Sequence, residues 1–306
     1  MQTTQLLLSL FFVAFVGFLA GKLHLFDEVA RRAIVKFVFY IATSALLIQA
    51  VLSIDVDSFG KFPRFVIANT VAIIGIYLVM YFILRLLRIK YRGGASLLYA
   101  SNVSNNIYIG LPFIWALWGN EGLAYAAVYL ALPMTIGDLA QFYVLSKWRH
   151  KGHPIKQFLL DFIKNPIVIS ITIGAVLLLS GINLPASLDE GLDFLGRSAT
   201  GLALFAMGLF LSLSSWAHFR IKMATLITVL KLVVVPFAAY VICKYLFGLS
   251  DIALFVSVIM LAMPSAIFCM VVATEYDFDE RTTADAIILS SVVFLATSVL
   301  WVHLLK

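Results

Sequence analysis

The chain has 306 residues, 62% of them apolar and 12% charged, with a formal net charge of +6. A soluble globular domain carries charge on about a quarter of its residues, so this composition excludes one. The basic residues are dispersed between apolar runs, which argues against a nucleic-acid surface and for loop charge that orients a membrane protein.

Uncharged windows of about 20 residues mark membrane-spanning helices, and ten can be read in chain order. They are Thr3–Ala20, Ala33–Leu52, Phe65–Leu87, Gly94–Trp118 and Gly122–Ser146, then Pro166–Gly181, Arg197–Trp216, Met223–Phe247, Asp251–Thr274 and Ala284–Leu305. The first run lacks a basic segment ahead of it, so it reads as a span and not as a cleaved leader. Cys243 and Cys269 fall in apolar runs and read as buried thiols, not as a disulfide framework. The histidines are scattered, and neither a metal nor a cofactor is expected.

Short loops rich in Lys and Arg stay in the cytoplasm. One alternating set of loops carries Lys22, Arg31 and Arg32; Arg85, Arg88, Lys90 and Arg92; Lys147, Arg149, Lys151, Lys156 and Lys164; Arg220 and Lys222; and Arg281. The other set, with the termini, carries only Lys61, Arg64, Arg197, Lys244 and Lys306. This bias puts both termini outside and the longest loop inside, and an even number of spans requires both termini on one side.

The halves resemble one another. "LFDE" at Leu25–Glu28 matches "SLDE" at Ser187–Glu190, each between the first and second spans of a half. A shift of 158 residues pairs the fourth span with the ninth and sets Asn106 opposite Pro264. Five spans per half force opposite orientations, the architecture of many secondary transporters. The predicted fold class is an all-α membrane protein of ten transmembrane helices in two inverted five-helix repeats. Residues 1–146 form the first repeat, 147–164 a cytoplasmic loop, and 165–306 the second repeat.

Two spans carry polar chemistry that a plain apolar helix does not need. The fourth contains "SNVSNNIYIGLP" (Ser101–Pro112) and the ninth "AMPSA" (Ala262–Ala266). Irregular backbone at membrane depth persists only where protein or a watery cavity satisfies it. Both spans therefore read as broken helices that cross near the midplane, their half-helix N-termini presenting partial positive charge to an anion. The candidate substrate-binding residues are Asn105, Asn106, Ser104, Tyr108, Pro264, Ser265, Gln49 and Lys231. Gly110, Pro112 and Pro264 are the hinges of the crossover. Lys231, ten residues into span eight, either attracts a carboxylate or neutralises Asp138, since a charge at that depth marks a site or a paired partner. Asp138, the acid well inside a span, is either a proton relay or that lysine's mate. Thr43, Ser44 and Gln49 in span two either face the crossover or make helix-packing contacts. Glu275, Asp277, Asp279 and Glu280 read as a solvated, helix-capping turn.

Three stretches resemble the auxin efflux carrier family, the plant PIN-formed carriers and their bacterial organic-acid permease relatives. They are "NNIYIGLPFIWALWG" (Asn105–Gly119), "GLALFAMGLFLSL" (Gly201–Leu213) and "AMPSAIFCMVVATEYDFDE" (Ala262–Glu280). The resemblance implies a scaffold of helices 1, 2, 6 and 7, often a dimerisation surface, and a transport domain of helices 3–5 and 8–10. It maps the family's crossover asparagine onto Asn105 and its ninth-span proline onto Pro264. It implies small carboxylate substrates such as malate, malonate or auxin, without a sodium site. Many members have a proline in span two, where this chain reads "ATSALLIQ" (Ala42–Gln49). Plant members have a second proline in span nine, where Cys269 stands, and a long central loop. These departures favour a bacterial-type carrier.

The leading functional expectation is a secondary carrier of small organic anions in the cell (inner) membrane. It would work by elevator-type alternating access, as a homodimer through its scaffold helices, with no nucleic-acid partner. An intramembrane enzyme would need an HExxH, a GxSxG or a pair of intramembrane aspartates, and the sequence has none. Two competing functions are a sodium-coupled carrier of the bile-acid type and a non-transporting sensor or lipid-binding module.

Overall fold

A computed structural model of the chain describes residues 2–52, 60, 62–149, 166–182, 184–212 and 219–305. The basic loop from residue 150 onward and the last residues of the expected seventh span, 213–216, lie outside them. Among the described residues, fourteen α-helices run in chain order. They are α1 (Gln2–Lys22), α2 (Glu28–Phe37), α3 (Thr43–Leu52), α4 (Phe62–Leu86), α5 (Tyr91–Asn102), α6 (Leu111–Tyr129) and α7 (Thr135–Arg149). There follow α8 (Pro166–Ser180), α9 (Ala186–Ser212), α10 (Ile221–Val229), α11 (Val235–Val241), α12 (Asp251–Ala262), α13 (Phe268–Glu275) and α14 (Glu280–Leu305). Several join through wide, π-type turns into longer rods. Among the described residues there is no strand beyond one isolated bridge. Five helical runs within them are long and apolar enough to cross a membrane: Val29–Leu52, Phe62–Leu86, Asn106–Leu145 (interrupted at Gly119), Ile221–Leu246 and Glu280–Leu305. The protein is therefore an all-α, multi-pass membrane protein.

The chain divides into two compact units. The first comprises Met1–Gly60, Ile107–Ala131 and Lys156–Ser214. In it α1 packs along α9, and α3 packs against both α8 and α9. The sequence makes the first of these contacts with small residues: Gly17 and Gly21 on α1, Gly208 and Ser212 on α9. In lipid, which gives helices no hydrophobic drive to associate, such small-xxx-small faces let backbones approach closely. Asp27 starts α2 by accepting the Ala30 backbone N–H at 2.7 Å, an N-cap that satisfies one of the orphan donors of the first turn.

α6 is two helical pieces, separated at Gly119 by φ 57° and ψ −147°. That conformation is essentially glycine's alone, and it falls where the sequence divides span four from span five. A Cβ on Gly119 would meet nothing within 4 Å, so Gly119→Ala tests backbone strain without a steric clash. It should cost about 1–3 kcal/mol and lower the melting temperature of the purified protein.

The second unit comprises Lys61–Asn106, Leu132–Ile155 and Ser215–Lys306. Its long rods carry proline in or beside wide turns. Pro133 lies inside the wide turn Leu130–Met134, and Pro236 follows the wide turn Leu230–Val234. Proline removes a backbone N–H and crowds the carbonyl four residues earlier. For Pro236 that carbonyl is Leu232, and the Trp301 indole N–H donates to it at 2.8 Å. An aromatic cluster of Tyr81, Tyr91, Tyr99, Phe142, Trp148 and Phe278 ties α4, α5 and α7 to the turn before α14. In that turn Asp277 pairs with Arg92 at 3.4 Å, and Asp279 accepts the Thr282 N–H at 3.3 Å as a cap on α14. Asp279 also pairs with Arg220.

Candidate functional site

The site forms where two helices of the second unit stop. α5 ends in Ser101-Asn102-Val103-Ser104, whose short polar side chains compete for backbone bonds; Val103 turns extended, at φ −83° and ψ 116°. α12 ends at Ala262 because Met263 precedes a proline, which disfavours the helical region for the residue before it; Met263 sits at φ −61° and ψ 149°. Helix resumes at Asn106 after the first stop and at Phe268 after the second.

The two extended segments pair. Ser104 and Ser265 form an antiparallel bridge. The Asn105 N–H donates to the Pro264 carbonyl at 2.8 Å, and the Ala266 N–H donates to the Val103 carbonyl at 3.0 Å. Backbone groups released by each break are thus answered by the other, as a low-dielectric surrounding requires. Side chains add to this. The Ser265 hydroxyl donates to the Ala100 carbonyl at 2.6 Å, and the Ser265 N–H donates to the Ser290 hydroxyl at 3.1 Å.

Lys231 is completely buried. Its ammonium donates to the Ser104 hydroxyl at 2.5 Å, the Leu261 carbonyl at 3.2 Å and the Asn102 carbonyl at 3.3 Å. Those carbonyls are at the C-terminal ends of α12 and α5, the partially negative ends of both helices. Asp138, half-buried on α7, is not among its partners and makes no ion pair among the described residues. The lysine's bonding partners are helix-end carbonyls and a hydroxyl.

Two side chains at the breaks keep unspent hydrogen-bonding capacity. Asn105 is 4% exposed, and its amide side chain bonds to no described residue. Asn106 is 3% exposed. Its amide nitrogen faces the Met134 sulfur at 3.7 Å, a weak acceptor, while its Oδ1 is buried with no partner among the described residues. An unpaired buried acceptor costs about 1–3 kcal/mol, a penalty that a donor brought within reach would remove.

The remaining expected residues fall elsewhere. Tyr108 is half-buried, and Gly110 and Pro112 are buried, on the helical stretch that belongs to the first unit. Gln49 spends its amide nitrogen on the Asp189 carbonyl at 3.0 Å and on its carboxylate at 2.8 Å, fastening α3 to α9. Sequence reasoning passed over Asn102, Ala100 and Leu261, which contribute only carbonyls here, and Ser290. The adjacent hydroxyls of Ser290 and Ser291 in an otherwise uncharged run were the signal available for the last.

A family model described as "Membrane transport protein" matches residues 3–302. The chain is 23% identical over 310 residues to the uncharacterized transporter YfdV of Escherichia coli K12, spanning 97% of this chain and 96% of that protein. It is 24% identical over 306 residues to the uncharacterized transporter MJ1031 of Methanocaldococcus jannaschii, spanning 97% of each. Over 126 residues it is 29% identical to auxin efflux carrier component 8 of Arabidopsis thaliana, spanning 41% of this chain and 34% of that protein. The chain belongs to this membrane transport protein family, the family of the auxin efflux carriers, and is a multi-pass membrane transporter.

Proposed function

We propose that the protein is a secondary carrier of small organic anions that binds a carboxylate at the paired helix breaks. The observation that carries this reading is the pair of unspent asparagines, Asn105 and Asn106, at a backbone bridge beside a buried cation. Helix restarts just after each break, so two N-terminal ends, partially positive, lie there. The two opposing C-terminal ends are already answered by Lys231. The field left over favours a negative solute.

The two five-helix halves belong to the same proposal. α5 and α12 begin at Tyr91 and Asp251 and end at Asn102 and Ala262, each pair 160 positions apart (251 − 91 and 262 − 102). The rods ending at Leu86 and Leu246 repeat the same offset (246 − 86). This spacing supports an inverted duplication with crossover helices at spans four and nine, in a register two residues longer than the shift of 158 read from sequence.

The first unit contains α1, α2, α3, α8 and α9, the helices of spans one, two, six and seven, and with them α6 from the junction of spans four and five. That grouping supports a scaffold role and a homodimer through it. The second unit, which holds the breaks, is then the part that moves in an elevator cycle, with both termini outside the cell membrane. A bacterial-type substrate, malate or malonate, fits the short loop between spans five and six better than a plant hormone does.

The test is uptake into proteoliposomes of labelled malate, malonate and indole-3-acetate. Saturable uptake of at least one, competed by unlabelled carboxylates, is expected. If no carboxylate is carried, and none raises the melting temperature, the anion-carrier reading is overturned.

A further inference from the structure

We propose that the Lys231 ammonium is a tethered counter-cation, filling a monovalent-cation site built from the Asn102 and Leu261 carbonyls and the Ser104 hydroxyl. It stands where a sodium-coupled carrier would hold an exchangeable ion. The consequence for coupling rests on the transporter reading above, while the geometry does not.

The three oxygens lie 3.3, 3.2 and 2.5 Å from Nζ. All are neutral, which is unusual company for a fully buried cation, since such charges are normally paired. The compensating charge comes from backbone instead. Asn102 is the last residue of α5 and Leu261 the penultimate residue of α12, so the negative ends of two helix dipoles converge on one point. Left alone in a dry interior they would repel one another. In sodium-coupled carriers, unwound carbonyls and half-helix C-terminal ends of this kind coordinate the ion. Here a covalently attached ammonium supplies the same unit charge to the same hard oxygen donors. A fixed cation is never released, so no ion gradient does work at this point, and the breaks stay joined without added sodium.

The side chain's route supports this. Lys231 lies in the wide turn Leu230–Val234 of a rod that also carries Pro236. The next side chain, Leu232, is buried too, and its carbonyl is bound by Trp301. The stem is held in packed protein and delivers its head to the bridge residue Ser104.

The experiment is thermal melting of the purified full-length protein in detergent. Chloride salts of sodium, ammonium, methylammonium and N-methyl-D-glucamine are compared at equal ionic strength. The wild type is expected to melt at one temperature in all four. Lys231→Ala, which empties the oxygen cage, is expected to melt several degrees lower in N-methyl-D-glucamine chloride and to regain most of that loss in one of the small cations. Lys231→Met, whose stem still fills the space, is expected to melt low in all four salts. A wild type stabilised by sodium over N-methyl-D-glucamine overturns the proposal. So does a folded Lys231→Ala that is equally unstable in every salt. If Lys231→Ala yields no folded protein, the wild-type series decides: sodium stabilisation overturns the proposal, and its absence supports it. Failure of carboxylate uptake leaves these melts untouched, so the two readings fail separately.

Discussion

Gly208→Leu is expected to leave almost no folded protein after extraction into detergent. A Cβ at residue 208 would sit 1.9 Å from the Ala14 carbonyl oxygen and 2.7 Å from the Phe18 backbone nitrogen. Both obstacles are main chain of α1, so no rotamer change clears them. The approach is reciprocal, because a Cβ on Gly17 would fall 2.2 Å from the Phe205 carbonyl oxygen. Ordinary overpacking costs about 1–3 kcal/mol when side chains can shift. Here α1 and α9 would have to part along their length, and the cost exceeds that range. Against total stabilities of roughly 5–15 kcal/mol, this is enough to remove the first unit. The check is the monodisperse fraction on size exclusion together with the melting temperature. Gly201→Ala on the same helix is the control, since a Cβ there meets nothing within 4 Å; it should be neutral or stabilising by up to about 1 kcal/mol. A Gly208→Leu protein that melts like the wild type would show that the two helices are not in this contact.

Asn105→Ala should do the opposite: spare the fold and remove transport. Its side chain bonds to no described residue, and the link it gives the fold, N–H to the Pro264 carbonyl at 2.8 Å, is main chain that alanine keeps. Truncation should therefore shift the melting temperature little. If the amide grips a carboxylate, losing a hydrogen bond to a charged group costs about 1.5–3 kcal/mol, roughly a 10- to 100-fold loss in affinity. Proteoliposome uptake and the melting curve, measured on one preparation, separate the outcomes. Unchanged uptake by a stable variant would remove Asn105 from the site.

What the sequence makes legible is local chemistry. Apolar windows announce helices, so the all-helical membrane class can be read from composition and spacing. Pro264 and Gly119 carry their conformations in their own covalent structure, and each break falls where the residue type demands it. The asparagines in span four stand out because lipid makes polar groups expensive. Partnerships across long separations are not legible. Lys231 meets Ser104 and Leu261 rather than Asp138, and Gln49 meets Asp189 140 residues away. No periodicity encodes such pairings; they follow from how helices pack. The wide turns escape sequence reading for a similar reason, since an i to i+5 bond leaves no residue pattern of its own. Where proline sits nearby, at Pro133 and Pro236, a disturbed helical turn was foreseeable but not its form.

The junction of the two breaks is made by N–H and C=O groups: Asn105 to Pro264 and Ala266 to Val103. Every residue owns such a carbonyl, and all but proline own the N–H, so these two bonds are made without any side chain taking part. A side chain with no bond in the joint, such as that of Asn105, can then be exchanged while those two bonds stay. Such an exchange would change what the junction offers to a solute and leave in place the way its two broken rods hold each other.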